Sequence, residues 1–239
     1  MNLIRKGHRQ SHRGVIGVES AIVMIAFVIV AAALAFVVLN MGFSTTQKAK
    51  TTIVSSLGEA SSSLEIAGKV TGLGNVSQAK IEVVAVPIKI ASGGESVNLD
   101  PSTAAVKYIS NTVEYDNIFA GTLTAAADGD DDNANSGEWL SLELATDDAA
   151  DADLYITEDP FDANGIPAST KAFIYWTVNN NNNDILDQGE HATLAIAYKS
   201  ADQPSALDKI RAEILIPTGA ALSIERQVPS VTTTVVDLG

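Results

Sequence analysis

The chain has 239 residues, no cysteine and a formal net charge of −14. Without cysteine there are no disulfides, thiolate metal sites or cysteine nucleophiles, while the length allows one large domain or two small ones with a sizeable core. Arg5, Lys6, Arg9 and Arg13 fall within the first 14 residues, which leaves 11 basic against 29 acidic residues beyond them, a net −18; a body that acidic excludes nucleic acid as a partner, because phosphate binding needs a basic surface.

The basic leader ends in His12-Arg13-Gly14, and an apolar run follows in which no side chain from Ala21 to Leu39 is polar. With its near-apolar flanks the run reaches the ~20 residues that a helix needs to cross hydrocarbon. In lipid only a helix satisfies its own backbone, so this segment is helical. A secretory signal would place its cleavage site after the apolar part; here the basic-to-Gly junction stands before it. Beyond Gly42 the pattern becomes amphipathic. Ile53, Leu57, Ala60 and Leu64 form one stripe, with Thr51, Thr52, Ser55, Ser56, Glu59 and Ser61 around it. Gly68 is a suitable stop. The spacing therefore predicts one helix over residues 15–67, roughly 80 Å long at ~1.5 Å per residue, far more than a bilayer requires. Such a helix is either an anchor with a stalk or a polymerisation helix, apolar at one end and amphipathic at the other.

From residue 68 onward the period changes. In 80–91, Ile81, Val83 and Ala85 alternate, and then Val84, Val86, Ile88 and Ile90 take the opposite phase. A bulge or burial on both faces accounts for the overlap, and Pro87 suggests an edge or an irregularity. Further predicted strands cover 106–110, 111–118, 138–146, 153–157, 171–178, 191–199, 212–217, 221–228 and 232–238. Short strands between Gly, Asn, Asp and Ser turns indicate a sandwich or barrel. Tyr175, Trp176, Leu194, Ile196, Ile214 and Leu222 are predicted core residues.

Candidate chemistry is sparse. His8 and His12 lie in the leader, so a Ser-His-Asp site would have to be built on His191 alone; a lone histidine beside a strand reads as a surface or edge residue. Residues 126–139 pack four Asp into 128–132, a solvated loop with the alternative of a cation site. In 179–190, Asn179, Asn181, Asn183, Asp187 and Glu190 match positions 1, 3, 5, 9 and 12 of a calcium loop, with the Ile185 carbonyl at position 7. Position 6, however, is Asp184 rather than Gly, and no helices are predicted on either side. The competing reading is a long hairpin loop whose Asn residues take left-handed turn conformations. Calcium is thus the only cofactor with a candidate site. Asn75 begins the single N-x-[ST] sequon, a potential glycan site on an exported domain.

A basic stretch, then Gly14, then an unbroken apolar helix resembles the class III signal of type IV pilin-like proteins. The resemblance implies cleavage by a prepilin-type peptidase between Gly14 and Val15, which makes Glu19 fifth in the mature chain, where pilins commonly carry Glu. This sequence departs from the expected basic pair in having His12-Arg13 before the Gly; Arg5-Lys6-Gly7 has such a pair but no apolar run behind it. Near the helix start, Glu19 lies at the positive end of the helix dipole. It either pairs with the freed Val15 amino group, its own or a neighbour's, and fixes subunit register, or marks the helix start at the membrane interface. The run "AIVMIAFVIVAAALAFVVLNMGF" (21–43) and the C-terminal "IPTGAALSIERQVPSVTTTVVDLG" (216–239) are similar to archaellins, the archaeal flagellins.

That resemblance implies an α+β fold: a long N-terminal hydrophobic helix followed by an immunoglobulin-like antiparallel β-sandwich. Residues 1–14 would be the signal, 15–67 the polymerisation helix and 68–239 the outer domain. It implies a non-enzymatic subunit of the archaellum filament, a homopolymer or a mixed one, extracellular after assembly and held in the cytoplasmic membrane as a precursor. The peptidase and the archaellum motor and assembly complex would be its other partners. The competing functions are an adhesive archaeal pilin with the same signal, and a membrane-anchored enzyme or solute-binding domain.

Overall fold

In the computed structural model, which describes residues 13–61, 64–125, 137–151, 154–162 and 165–239, the apolar run and its amphipathic continuation form one helix, α1, Arg13–Ser61. The chain divides into two compact units, residues 1–55 and 56–239. The helix stops six residues short of the expected 67. Its last residue opens the sequence Ser61-Ser62-Ser63, and serine hydroxyls compete for backbone groups and weaken a helix. Leu64, expected on the helical stripe, is instead buried in a strand. Gly68, expected as the helix stop, lies beyond that strand, and a Cβ there would stand 3.4 Å from Pro87 Cγ.

Among the described residues the strands run in chain order as β1 (Leu64–Ile66), β2 (Thr71–Asn75), β3 (Lys80–Ile90), β4 (Val97–Asn98), β5 (Ala105–Ser110), β6 (Glu114–Tyr115), β7 (Phe119–Thr122), β8 (Lys171–Val178), β9 (Ile185–Leu186), β10 (His191–Ala197), β11 (Lys209–Leu215), β12 (Leu222–Gln227) and β13 (Val235–Asp237). A second helix, α2, Leu142–Ala150, stands between β7 and β8. The larger sheet has the order β13-β2-β3-β10-β8-β7, with β1 also on β3; the smaller is β12-β11-β5-β6, and β4 pairs with β9. All pairs are antiparallel except β7 with β8. A long apolar helix followed by a multi-stranded, mainly antiparallel β-domain is thus the α+β arrangement expected.

The two main sheets face each other across a core. Val84, Val86, Ile196 and Tyr198 from the larger one meet Tyr108, Ile210, Ala212 and Ile224 from the smaller, and the rings of Tyr108 and Tyr198 lie 5.3 Å apart. The larger sheet is also covered on its other face. Ala85, Ala195 and Phe173 are cross-strand neighbours in the opposite phase; Tyr155 stacks on Phe173 at 6.4 Å and donates its hydroxyl to Thr122 O at 2.8 Å. Trp139 N donates to Trp176 O at 2.8 Å. Burial on both faces is why β8 and β10 are apolar without alternation. In β3 the pairing with β2 shifts between Leu73↔Val83 and Gly74↔Ile81, so the phase overlap there has both predicted causes, a bulge and two-sided burial.

Pro87 is not at an edge, for β3 is central. Its carbonyl accepts from Ala67 N at 2.8 Å, and a residue's missing N–H points to the same side of a strand as its carbonyl. On that side β2 pairs up to Ala85 and β1 begins at Ile88. The absent donor therefore falls in the gap between two partner strands.

Three predicted strands are corrected. Residues 138–146 contribute to α2 instead: Ser141 caps it, accepting from Leu144 N at 3.2 Å, Glu143 lies in the first turn, and Ala145, Thr146, Asp148 and Ala149 are the buried face. The described residues of 153–157 form no strand, because Tyr155 and Ile156 donate their N–H groups to the Ala149 carbonyl at the end of α2. Of 111–118, only Glu114–Tyr115 is strand. Tyr175, Trp176, Leu194, Ile196 and Ile214 are buried as predicted, while Leu222, near the start of the edge strand β12, is half-buried.

Candidate functional site

The feature that the β-domain does not account for is α1. Every side chain from Gly17 to Leu57 is exposed, and between Val18 and Phe43 these include 16 large apolar residues. Burying each fully contributes about 1.5–3 kcal/mol, so the helix carries a drive toward lipid or toward other helices on the order of tens of kcal/mol. Over 21–39 it is apolar all round, unlike a surface helix with one buried stripe. It is long and apolar enough to cross a membrane. No charge occurs from Ser20 to Gln47.

The polar half of α1 is prepared for packing in a way the sequence reading did not foresee. Thr45, Thr46, Thr51 and Thr52 donate their hydroxyls to the carbonyls four residues earlier, of Met41 (2.8 Å), Gly42 (2.7 Å), Gln47 (3.0 Å) and Lys48 (2.9 Å). Hydroxyls satisfied within the helix can be removed from water without an unmet hydrogen bond. The signal was in the sequence: two Thr-Thr pairs, 45–46 and 51–52, in the stretch that follows the apolar run.

The predicted site residues fall as follows. Gly14 and Val15 lie in the first turn of α1, and Glu19 is exposed one turn further on; residues 1–12 are outside the described residues, as is 126–136 of the Asp-rich loop. Asn75 ends β2 at the turn into β3. Its Oδ1 accepts from Ser77 N, Ser77 Oγ and Gln78 N at 3.1, 2.6 and 3.1 Å, and its Nδ2, the atom a glycan would occupy, donates to Glu82 Oε1 at 2.8 Å. His191 begins β10 and is half-buried.

The 179–190 segment connects β8 to β10 and contains β9. The side-chain oxygens of Asn179, Asn181, Asn183 and Glu190 serve the loop's own backbone. Asn179 Oδ1 accepts from Asn181 N and Asn182 N (3.3 and 2.9 Å), Asn181 Oδ1 from Asn183 N (3.3 Å), and Asn183 Oδ1 from Ile185 N (2.7 Å). Asn181 Nδ2 donates to Asp187 Oδ2 at 2.6 Å, and Asp187 also accepts from Ser96 Oγ. Glu190, only 2% exposed, accepts from Asn180 N and Asp187 N at 2.9 and 2.8 Å. Asn182 takes the left-handed conformation, φ 52°, as expected of Asn in such a turn. Asp184 at the sixth position, where a calcium loop has Gly, accepts from Thr122 Oγ1. Among the described residues no three acidic or histidine side chains converge to hold a metal. Sequence reasoning missed the partners from afar: Glu138 Oε1 accepts from Asn179 N at 2.8 Å, and Gly137 O from Asn179 Nδ2 at 3.1 Å.

Residues 14–226 match the family model described as archaeal-type flagellin. The chain belongs to the archaeal-type flagellin family. Among curated relatives, this flagellin is 34% identical over 219 residues to "Probable flagellin 1" of Aeropyrum pernix, covering 91% of this chain and 93% of that one. It is 37% identical over 125 residues to flagellin FlaB2 of Saccharolobus shibatae, covering 51% and 41%. Among solved structures, its fold is similar to the archaeal flagellum of Methanospirillum hungatei, with a TM-score of 0.55, 20% identity and coverage of 93% and 99%. The crystal structure of archaeal flagellin FlaB1 from Methanocaldococcus jannaschii gives a TM-score of 0.53 at 18% identity, covering 74% and 96%.

Proposed function

We propose that this chain is a structural subunit of an extracellular archaeal flagellum filament, held together by packing of α1 against copies of itself. The observation that carries the reading is the state of α1: apolar all round through Leu39, exposed through Leu57, and attached to a β-domain whose core is complete without it. Family membership gives the assembly its identity as a flagellum, and the archaeal flagellum of Methanospirillum hungatei shares its fold.

The precursor sits in the cytoplasmic membrane through α1, with the basic leader kept inside. A prepilin-type peptidase removes residues 1–14, and the family match, which begins at Gly14, supports that boundary. The new Val15 amino group and Glu19 are then four residues apart, one helical turn, on the same face. Their pairing, within one subunit or between neighbours, would set register inside an apolar bundle, where an unpaired charge is costly. Assembly is a head-to-tail contact that does not close, which gives a helical filament. The subunit performs no catalysis; it transmits torque supplied by a separate motor complex.

N-terminal sequencing of the protein recovered from cells tests this. A start at Val15 is expected. A start at Met1 would mean that the leader stays attached, as in a plain membrane anchor, and would overturn the assembly route.

A further inference from the structure

The later half of α1 carries one apolar stripe, and a charge stands at its centre. At about 100° per residue, Phe43, Thr46, Ile53, Val54 and Leu57 all fall within about 60° of Lys50, whereas Ser44, Lys48, Thr52 and Ser55 lie on the opposite face. The Thr46 hydroxyl is already bonded to Gly42 O. The four apolar members are 55–67% exposed. Packing this stripe on another helix takes Lys50 out of water with it, and a buried ammonium needs a carboxylate. Its own helix has none in reach. No Asp or Glu occurs from Ser20 to Gly58. Glu59, nine residues on, is about 14 Å away along the axis at ~1.5 Å per residue.

The converse need exists near the start of α1. Glu19 is the one carboxylate between Gly17 and Leu57, and the segment after it is apolar all round, so packing the helix removes it from water as well. Glu19 precedes Lys50 by 31 residues. On one straight helix that is about 46 Å, so the two charges can meet only between copies. The displacement that brings them together also matches apolar side chains. Ile22 comes level with Ile53, Val23 with Val54 and Ala26 with Leu57. Ile22, Val23 and Ala26 all lie within about 60° of Glu19 around the helix.

We infer that in the filament Lys50 of one subunit pairs with Glu19 of a second copy, the two α1 helices running parallel and displaced along their axes by about 46 Å. The apolar half of one helix then covers the stripe on the later half of the other. The two halves are different surfaces of one molecule, so the contact repeats without closing. A carboxylate has two oxygens, so Glu19 can hold Lys50 and the Val15 amino group together. The inference rests on the filament reading above and deepens it by fixing the axial displacement between neighbours.

The chain has no cysteine, so an introduced pair is the sole source of disulfide cross-links. Filaments are recovered from cells making the full-length chain with Val23→Cys and Val54→Cys, and oxidised. A covalent ladder of multimers is expected from the double variant, with monomer alone from each single variant. Intact filaments that yield only monomer from the double variant overturn the displacement while leaving the filament reading standing. Dimers from a single variant would put equal heights side by side and overturn it too. Wild-type protein that forms no filament overturns the filament reading and the inference with it. Lys50→Met tests the charge, because methionine keeps an apolar stem and drops the ammonium. Its filaments should dissociate at a lower temperature than wild type, and those of Lys50→Arg close to wild type. Lys50→Met filaments as stable as wild type, or more so, would mean that Lys50 carries its charge out to water and would overturn the pair. A double-mutant cycle identifies the partner. Glu19→Gln should lower the dissociation temperature less in the Lys50→Met background than in the wild-type one. Equal losses would assign Lys50 to another carboxylate and overturn its pairing with Glu19.

Discussion

Glu190 is a carboxylate removed from water that accepts two main-chain N–H groups from opposite ends of one loop. Glutamine fits the same space, but its amide nitrogen cannot accept, so Glu190→Gln strands one buried donor. We expect a loss of about 1–3 kcal/mol, measurable by urea unfolding. Calcium titration followed by thermal melting separates the two readings of the loop. An unchanged melting temperature at millimolar calcium is expected for a loop closed by its own hydrogen bonds, whereas a rise would mark a cation site. The spacing of Asn179, Asn181, Asn183, Asp187 and Glu190 was legible in the sequence because alternate Asx residues make local turns. The contributions of Glu138 and Ser96 were not, because they lie 41 and 91 residues away from their partners.

Among the elements, α2 is the most instructive. Leu140, Leu142 and Leu144 alternate as a strand would, yet the segment's buried positions in α2 are Ala145, Thr146, Asp148 and Ala149, at helical spacing. Small residues let the helix lie close to its neighbours, and the Ser141 cap sets where it begins. Ser141→Ala should cost ~1 kcal/mol, read as a lower midpoint in denaturant with an unchanged slope. Strands β1, β4 and β9 escaped the sequence because they have only 2 or 3 residues, too few for a period to show. Strand β2 escaped for another reason. Its sequence is Thr-Gly-Leu-Gly-Asn, and glycine weakens a strand locally. Here glycine is demanded by crowding: a Cβ on Gly74 would lie 2.7 Å from both Val231 Cγ1 and Val236 Cγ2.

For the molecule as a whole, the division at residues 55 and 56 predicts separable behaviour. A chain beginning at Ser56 retains β1 and the whole buried cluster. We expect it to fold cooperatively and to remain monomeric by analytical ultracentrifugation, since it lacks the apolar part of α1; filaments from such a chain would place the main assembly energy in the outer domain instead.

The sequence by itself determined the apolar helix, the change of period near residue 68, the acidic body and the resemblance at both ends. Each of these is a local or compositional property, carried by neighbours along the chain. Tertiary structure alone decided that Leu64 joins a strand on β3 rather than the helical stripe, that Pro87 sits inside a sheet rather than at its edge, and that the larger sheet is covered on both faces. Those outcomes depend on which distant segments pair with β3 and what packs over β8. Strand pairing and burial bring together residues far apart in sequence, and no spacing along the chain encodes them.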